Sequence, residues 1–462
     1  MPNAIRRLSS QNSLTEGSIT KSIILFSIPI LLSNLFQQLY NSVDTAVVGK
    51  FSGSAALAAV GSTGFIINLL IGFFLGVSTG TGVLFSMHYG AGNYPKLKRL
   101  VDSSMIISVV SGVFITAVGI IFCTPILQLL DTPDDVLPLA RQYLIIYFTG
   151  TIANLIYNVG SGIIRSEGDS TRPLVYLVIG GVLNLILDLL LVAVFHTGVI
   201  GAAVATVAAQ LISAILVVIR MTRMNPIYRL DLLHIRADWE TSKEIIRISV
   251  PCGIQSSMIN LANVLVQAKI NSFGKYTMAG IAAYMKIDAF GYTSIHALGL
   301  AISTYVGQNI GANQYRRAQK GIRICILCSV SVSIVVTILV ALFCEPLLHL
   351  FTDDQPAVDV GLQMMHHVIP FIWLMSFMEI LGSAIRGSGQ ATPVTVISAI
   401  SICLFRVVWL IVMLRFFNDP RIVYLCYPIS WLLNTIALLF FYFRRSVLRK
   451  DIKAEIAASG KL

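Results

Sequence analysis

SIILFSIPILLSNLFQQLYNSVDTAVV (residues 22–48) is the first of about twelve apolar stretches in the chain, and it carries a carboxylate, Asp44. The stretch is long enough to cross a hydrocarbon core of about 30 Å as a helix. Its polar side chains recur at spacings of three, four and seven, so they share one helical face: Asn34, Gln37, Gln38, Asn41 and Asp44. A carboxylate at the middle of a bilayer costs roughly 2.5 to 3.5 kcal/mol. Such residues usually serve an ion pathway.

The composition is that of an all-α membrane protein. Hydrophobic residues make up 56% and charged residues 12% of the 462, whereas the charged fraction of soluble domains is about 25%. Further apolar runs of sufficient length recur near 55–86, 101–124, 139–161, 173–194, 198–220, 245–270, 279–308, 322–344, 361–385, 393–414 and 421–443. Together with the first stretch they predict about twelve transmembrane helices.

The net charge of +11 indicates an orientation in the membrane and not a surface for nucleic acid. If both termini are cytoplasmic, most basic residues face the cytoplasm and only a few face outward: Lys50, Arg141, Lys275, Arg415 and Arg421. That asymmetry follows the positive-inside rule. The residues before Ile23 lack the pattern of a cleavable signal peptide. We therefore expect a monomeric multi-pass protein of the inner membrane, surrounded by lipid, with both termini cytoplasmic.

The second half of the chain repeats the first. A shift of about 221 to 223 residues brings three segments of the first half onto three of the second: Pro29 onto Pro251, Gly90-Ala91-Gly92-Asn93-Tyr94 onto Gly311-Ala312-Asn313-Gln314-Tyr315, and Arg165-Ser166-Glu167-Gly168 onto Arg386-Gly387-Ser388-Gly389. We predict two six-helix bundles, 1–221 and 245–462, joined by a cytoplasmic linker, 222–244. An even number of spans gives both halves the same orientation, and the cleft between them is the natural path for a substrate.

A second carboxylate, Asp188, stands one helical turn from Asn184 in the fifth apolar stretch. With a rise of about 1.5 Å per residue, Asp44, Asp188 and Thr206 all reach the outer half of the first bundle. Two carboxylates close together in a low dielectric resist double ionisation, so they take up a proton or a small hard cation. Neutral oxygens from Asn184 and Thr206 would add ligands to Na⁺. The sequence does not choose between Na⁺ and H⁺.

The repeat fails at this candidate site. Asp44 falls opposite Val266, and Asn184 falls opposite Leu404 or Phe405. The second half therefore lacks the paired carboxylates. It carries other charges instead, and the estimated depths of Arg406 and Asp288 predict a buried ion pair, because a partner lowers the cost of a charge inside the membrane.

Several motifs resemble those of the bacterial multidrug and toxic compound extrusion (MATE) transporters: Val43-Asp44-Thr45, Arg165-Ser166-Glu167-Gly168-Asp169, Asn184-Leu185-Ile186-Leu187-Asp188, Lys286-Ile287-Asp288-Ala289-Phe290 and Val306-Gly307-Gln308-Asn309. The resemblance covers nearly the whole chain. It implies two six-helix lobes that export organic cations in exchange for Na⁺ or H⁺, with no catalytic residue and no cofactor. It also implies a cation site made of Asp44, Asn184, Asp188 and Thr206. Where some relatives carry a carboxylate in the seventh helix, this chain has Met258.

A second set of residues is expected to bind the organic substrate: Gln37, Tyr40, Asn41, Tyr157, Asn158 and Glu379. The polar face of the first helix leads from the cleft towards Asp44. Tyrosine rings attract cations through their faces, although packing in the core or against lipid is an alternative for each ring. Asn158 and Glu379 are repeat partners on the fourth and tenth helices.

Two other functions remain open from the sequence. A flippase for lipid-linked oligosaccharides or cell-wall precursors belongs to the same superfamily, but it needs cationic groups for a pyrophosphate, and the first-helix stripe is neutral or acidic. A membrane-embedded enzyme of the prenyltransferase type would bind diphosphate through Mg²⁺ and aspartates. Its only candidate motif is Asp131-Thr132-Pro133-Asp134-Asp135, which is also an ordinary helix-capping sequence.

Overall fold

The computed structural model describes residues 14–130, 132–417 and 419–448, and within these ranges the chain forms helices and no β-strand. This part of the chain contains twelve long helices: α1 Ile19–Gly53, α2 Ala55–Gly90, α3 Tyr94–Leu129, α4 Leu137–Thr149 with Thr151–Ser166, α5 Thr171–Val194, α6 Gly198–Thr222, α7 Trp239–Asn271, α8 Lys275–Gly311, α9 Tyr315–Leu342, α10 Gln355–Gly387, α11 Ala391–Phe416 and α12 Pro420–Arg444. A short helix, Cys344–His349, lies between α9 and α10. The prediction of about twelve helices is confirmed.

Breaks in the helices have local causes. Gly53 adopts φ 83°, a left-handed conformation that favours glycine, and it separates α1 from α2. The two segments of α4 meet at Gly150 with a bend of 47°. Within α5 and α11 lie π-helical turns, Leu189–Val194 and Ala399–Leu404, and such turns are frequent at functional sites. The first of them directly follows Asp188.

The helices suit a lipid environment. Nine of the described helices are long and apolar enough to cross a membrane, and the two segments of α4 together make a tenth. Helices α7 and α8 have sufficient length, 33 and 37 residues, but they carry polar residues such as Gln267 and Asp288. On α3, Phe114 and Ile121 are 67% and 69% exposed. An outward face of this kind is stable in hydrocarbon and unfavourable in water.

The helices group into two compact units. One comprises Leu32–Gly253, and the other comprises Met1–Leu31 with Ile254–Leu462. The boundaries fall inside α1 and inside α7. The lobes at 1–221 and 245–462 with a linker at 222–244 therefore remain a prediction, with ends that differ from those of the units. Several basic residues used to predict the orientation lie outside the described residues: Arg6, Arg7, Arg449, Lys450, Lys453 and Lys461.

Each unit has an apolar core of its own. In the unit Leu32–Gly253 the fully buried side chains include Val48, Leu144 and Ala203. In the other unit they include Ile281, Val358 and Tyr424. Full burial of a Val, Leu or Ile side chain stabilises a fold by about 1.5 to 3 kcal/mol, so each unit has a hydrophobic basis for its own compactness.

The start of α7 packs against α2 within the unit Leu32–Gly253. A Cβ on Gly76 would lie 2.3 Å from the carbonyl oxygen of Cys252, and one on Gly80 would lie 2.4 Å from the Cα of Ser249. The hydroxyls of Thr81 and Ser249 are 3.1 Å apart and share a hydrogen bond. Small residues let helix backbones approach closely in membranes. These glycines explain why the first part of α7 belongs to the same unit as α2.

The segment between α6 and α7, residues 223–238, has a fixed place on this unit. Tyr228 is 2% exposed, and its ring stacks on Tyr94 with centroids 6.1 Å apart and planes at 3°. Its hydroxyl donates to Oε1 of Glu167 over 2.7 Å, while Arg220 donates to Oε2 over 3.1 Å. Burial, with the nearby Glu167 charge, raises the pKa of Tyr228 far above its usual range. The phenol therefore stays protonated and remains a donor.

Tyr228→Phe should loosen this segment while preserving the ring contacts. Loss of a hydrogen bond to a charged group costs about 1.5 to 3 kcal/mol, so protease cleavage within 223–238 should become faster. The control is Tyr276→Phe, which changes a tyrosine that is 42% exposed and should leave the cleavage rate unchanged. Equal cleavage rates for Tyr228→Phe and the wild type would contradict the anchoring role of the hydroxyl.

Candidate functional site

Asp188 and Asn184 lie one turn apart on α5, beside α6. Both residues are 1% exposed, and Thr206 on α6 is 4% exposed. With its amide oriented to suit its neighbours, Asn184 donates to Asp188 Oδ2 over 3.1 Å and accepts from the backbone N–H of Thr206 over 3.2 Å. A Cβ on Gly180 would lie 2.1 Å from Ser213 Oγ, so the glycine permits the close approach of α5 and α6. Two helices thus fix these three site residues.

Asp44 joins the group from α1. Its carboxyl group comes close enough to Asp188 for a hydrogen bond when one of the two carries a proton. Among the described residues no hydrogen-bond partner meets Asp44 Oδ1 or Asp188 Oδ1, although both oxygens are buried. Buried acceptors without donors cost free energy, and a proton or an oxygen-preferring cation would remove that cost. The structure brings together the four residues of the predicted cation site.

A cavity of about 280 Å³ opens beside Asp44 within the unit Leu32–Gly253. It is lined by Asp44, by Thr206 and by five residues predicted to bind substrate: Gln37, Tyr40, Asn41, Tyr157 and Asn158. Asn184 and Asp188 do not line it. Further polar and aromatic residues line the cavity that were not predicted from the sequence: Tyr143, Tyr147, Asn154 and Gln210. A spacing of four, which puts two residues on one helical face, could have identified Tyr143 with Tyr147 and Asn154 with Asn158 on α4.

Hydrogen bonds and ring stacking hold the α4 wall of the cavity. Asn158 Nδ2 donates to the Asn154 carbonyl oxygen over 2.9 Å, and the Tyr157 hydroxyl donates to the Pro173 carbonyl oxygen over 3.2 Å. The lining rings of Tyr143 and Tyr147 stack with centroids 6.4 Å apart and planes at 19°. The wall presents aromatic surface and amide groups in fixed positions, an arrangement typical of small-molecule sites.

Glu379 does not line this cavity, because it lies on α10 in the other unit. Its Oε1 is 3.2 Å from Nδ1 of His296 and 3.6 Å from Nη2 of Arg386. Arg386 also donates to Oε1 of Gln255 over 3.2 Å. The side chains of Glu379 and Arg386 are 14% and 13% exposed, so this is a largely buried ion pair. A role for Glu379 in substrate binding remains a prediction.

The predicted ion pair between Arg406 and Asp288 is wrong. Arg406 Nε donates to Ser430 Oγ over 3.0 Å, and Nη1 donates to Asn263 Oδ1 over 2.8 Å. Asp288 Oδ1 accepts from the Tyr284 hydroxyl over 3.2 Å. Neutral oxygens satisfy the guanidinium and a phenol satisfies the carboxylate, so neither charge depends on the other.

Comparison with known proteins decides the family. The sequence model of the MatE family matches residues 29–190 and matches again at 251–412. The chain belongs to the MatE family. The double match also confirms the internal repeat, because both halves fit the same family model. MatE proteins are transporters and not enzymes, and they need no cofactor.

The relatives agree in length and in fold. A probable multidrug resistance protein of Bacillus subtilis, YoeA, is 27% identical over 395 residues, which cover 84% of this chain and 85% of YoeA. The probable multidrug resistance protein NorM of Thermotoga maritima is 26% identical over 415 residues, covering 87% of each chain. A solved multidrug resistance MATE transporter of the MOP superfamily in the outward-facing conformation is 22% identical with a TM-score of 0.86, covering 95% of this chain and 99% of that one.

This MATE chain is therefore a multi-pass membrane transporter of the multidrug-efflux type, and it binds small-molecule substrates. The prenyltransferase alternative is excluded, since the family consists of transporters. Its candidate motif begins at Asp131, which lies outside the described residues. Thr132 and Pro133 follow without regular structure, and Asp134 and Asp135 lie in a turn before α4.

Proposed function

We propose that this MATE chain is a cation-coupled antiporter, which exports organic cationic or amphipathic drugs by alternating access in exchange for Na⁺ or H⁺. In this proposal Asp44, Asn184, Asp188 and Thr206 take the coupling cation. Gln37, Tyr40, Asn41, Tyr157 and Asn158 contact the drug. The transporter works as a monomer in the inner membrane with both termini in the cytoplasm.

One observation carries the proposal: two carboxylates from different helices, the half-buried Asp44 and the buried Asp188, meet beside a cavity, and each has a buried oxygen that no donor among the described residues satisfies. Structural carboxylates inside proteins are normally paired with donors or cations. Carboxylates that face, among the described residues, only each other and neutral groups are suited to bind an exchangeable cation. Asn184 and Thr206 add neutral oxygens, which is the ligand chemistry of Na⁺ and other hard cations.

The cavity favours cationic cargo. The described residues that line it include the Asp44 carboxylate, four tyrosines and several amides, and none of them is a Lys or an Arg. Tyrosine faces attract organic cations. A flippase would have to hold a pyrophosphate, and this lining offers no cationic group for it. The cavity chemistry therefore supports drug export over the flippase alternative.

The placement of the carboxylates links ion and drug. Asp44 lines the cavity, while Asp188 is buried behind it. A cation held between the two carboxylates offsets the negative charge that Asp44 presents to a drug. At a separation of 4 Å in an effective dielectric of 20, one unit charge is worth about 4 kcal/mol. Ion binding would thus weaken drug binding, and by linkage drug binding would weaken ion binding.

The proposal is tested by transport of ethidium into or out of proteoliposomes under an imposed Na⁺ gradient or an imposed pH gradient, with the membrane potential clamped. We expect one of the two gradients to accelerate uphill ethidium movement and its collapse to stop that movement. Liposomes that contain Asp44→Asn protein serve as the matched control and should show no acceleration. A wild-type rate of ethidium transport that neither gradient changes would contradict cation coupling.

A further inference from the structure

A buried arginine has no acidic partner in the second repeat. Arg406 on α11 is 4% exposed, and among the described residues no carboxylate oxygen lies within 4.0 Å of its nitrogens. Its acceptors are Asn263 Oδ1 on α7 and Ser430 Oγ on α12, and its Cζ lies 4.5 Å from the ring centroid of Tyr427, also on α12. Arginine stays charged in proteins. The unit therefore contains a permanent cation that is held by neutral oxygens and an aromatic face.

In the internal repeat, Arg406 is equivalent to a residue of the candidate ion site. The family match begins at 29 and 251 and ends at 190 and 412, a shift of 222 residues at both ends. The same shift aligns Asn263 with Asn41 and Arg406 with Asn184. The alignment of the sequence halves had set Leu404 or Phe405 against Asn184, one or two residues before Arg406. Helices α7, α11 and α12 are the counterparts of α1, α5 and α6. In the first repeat those three helices supply Asp44, Asn184 with Asp188, and Thr206.

The two repeats therefore differ in the source of the cation that lies at the junction of the three helices. In the first repeat the carboxylates need a cation from solution. In the second repeat Val266 replaces Asp44, and the cation is covalently attached to α11. A tethered cation loses no translational freedom on binding, so neutral ligands suffice where a free ion would require carboxylates.

We propose that the Arg406 guanidinium is a built-in substitute for the coupling cation, a positioning group that keeps α7, α11 and α12 permanently in the ion-occupied arrangement. The proposal rests on the cation-coupled function above. It makes the first repeat the only one that responds to ions, and it gives each chain a single exchangeable coupling site.

Chemical rescue of Arg406→Ala tests the charge separately from the shape. We expect Arg406→Ala to lower gradient-driven ethidium transport at least about tenfold. Millimolar guanidinium should restore a saturable part of that transport and raise the melting temperature of the purified variant. Urea, a neutral molecule of nearly the same shape, should do neither. The wild type with guanidinium controls for competition between guanidinium and ethidium. Equal rescue by urea, or full activity of Arg406→Ala without rescue, would overturn the proposal.

If Arg406→Ala does not fold, Arg406→Lys and Arg406→Gln decide the question. The lysine variant keeps a tethered cation and should retain more than half of the wild-type transport rate. The glutamine variant should lose as much transport as is expected of Arg406→Ala. Equal rates for these two variants would contradict the proposal. Asp44→Asn in the same assay separates the two claims: if it still couples, the assignment of the coupling cation to Asp44 and Asp188 fails. If it is uncoupled while Arg406→Gln is fully active, only the tethered cation fails.

Discussion

Asp44→Asn and Asp188→Asn should each abolish ion-driven drug transport, with a loss of about a thousandfold in apparent affinity for the coupling cation. Each substitution preserves the shape of the side chain and removes one negative charge from a site in which Asp44 and Asp188 face each other. A unit charge at 4 Å in an effective dielectric of 20 is worth about 4 kcal/mol, and every 1.4 kcal/mol is about tenfold. The measurement is the dependence of ethidium efflux on the concentration of the driving cation.

Asp134→Asn is the matched control for these variants. Asp134 is exposed, and it does not line the cavity, so the same change of charge there should leave the cation dependence unaltered. Downhill movement of ethidium should persist in Asp188→Asn, because Asp188 is absent from the cavity lining. Wild-type cation dependence in both Asp44→Asn and Asp188→Asn would exclude the carboxylate pair as the coupling site.

Glu379→Gln should destabilise the protein by about 3 to 5 kcal/mol, the usual cost of removing one partner from a buried ion pair. The substitution leaves the Arg386 guanidinium largely buried without its carboxylate, with Gln255 and Ser383 as neutral acceptors. The effect is measured as the change in thermal unfolding of purified protein in detergent. The double variant Glu379→Gln/Arg386→Gln should be more stable than the sum of the single changes predicts.

This experiment also separates the two interpretations of Glu379. A structural ion pair predicts a loss of stability that the second substitution partly restores. Direct binding of drug predicts normal stability and a raised KM for ethidium. The second result, with additive melting temperatures, would favour the substrate-binding role predicted from the sequence.

The fold and the core of the site could be predicted from the sequence because their signals are local. Apolar runs predicted the twelve helices, and a spacing of four placed Asn184 one turn from Asp188 on the same face of α5. Helix depth then put Asp44 and Thr206 at a similar height. Those estimates succeeded because a helix rises by a constant amount per residue, and the structure shows the four side chains at one place.

The wrong ion pair has a physical reason: depth along a helix does not give the direction in which a side chain points. Arg406 and Asp288 have compatible depths, yet Arg406 turns to Asn263 and Ser430. Glu379 and Asn158 are repeat partners, but they lie in different units, and of the two Asn158 alone lines the cavity beside Asp44. Tyr228 contacts Tyr94 and Glu167, which are far from it in sequence. No local sequence pattern predicts such contacts.

The most direct test of cation coupling reverses the driving force. Proteoliposomes receive an outward ethidium gradient with no Na⁺ or pH gradient, and the fluxes of ²²Na⁺ and of protons are followed together. If the carboxylates of Asp44 and Asp188 exchange drug for a cation, one of the two ions must move inward as ethidium leaves, and Asp44→Asn must abolish that counterflow. Ethidium efflux from wild-type liposomes without counterflow of either ion would contradict the account.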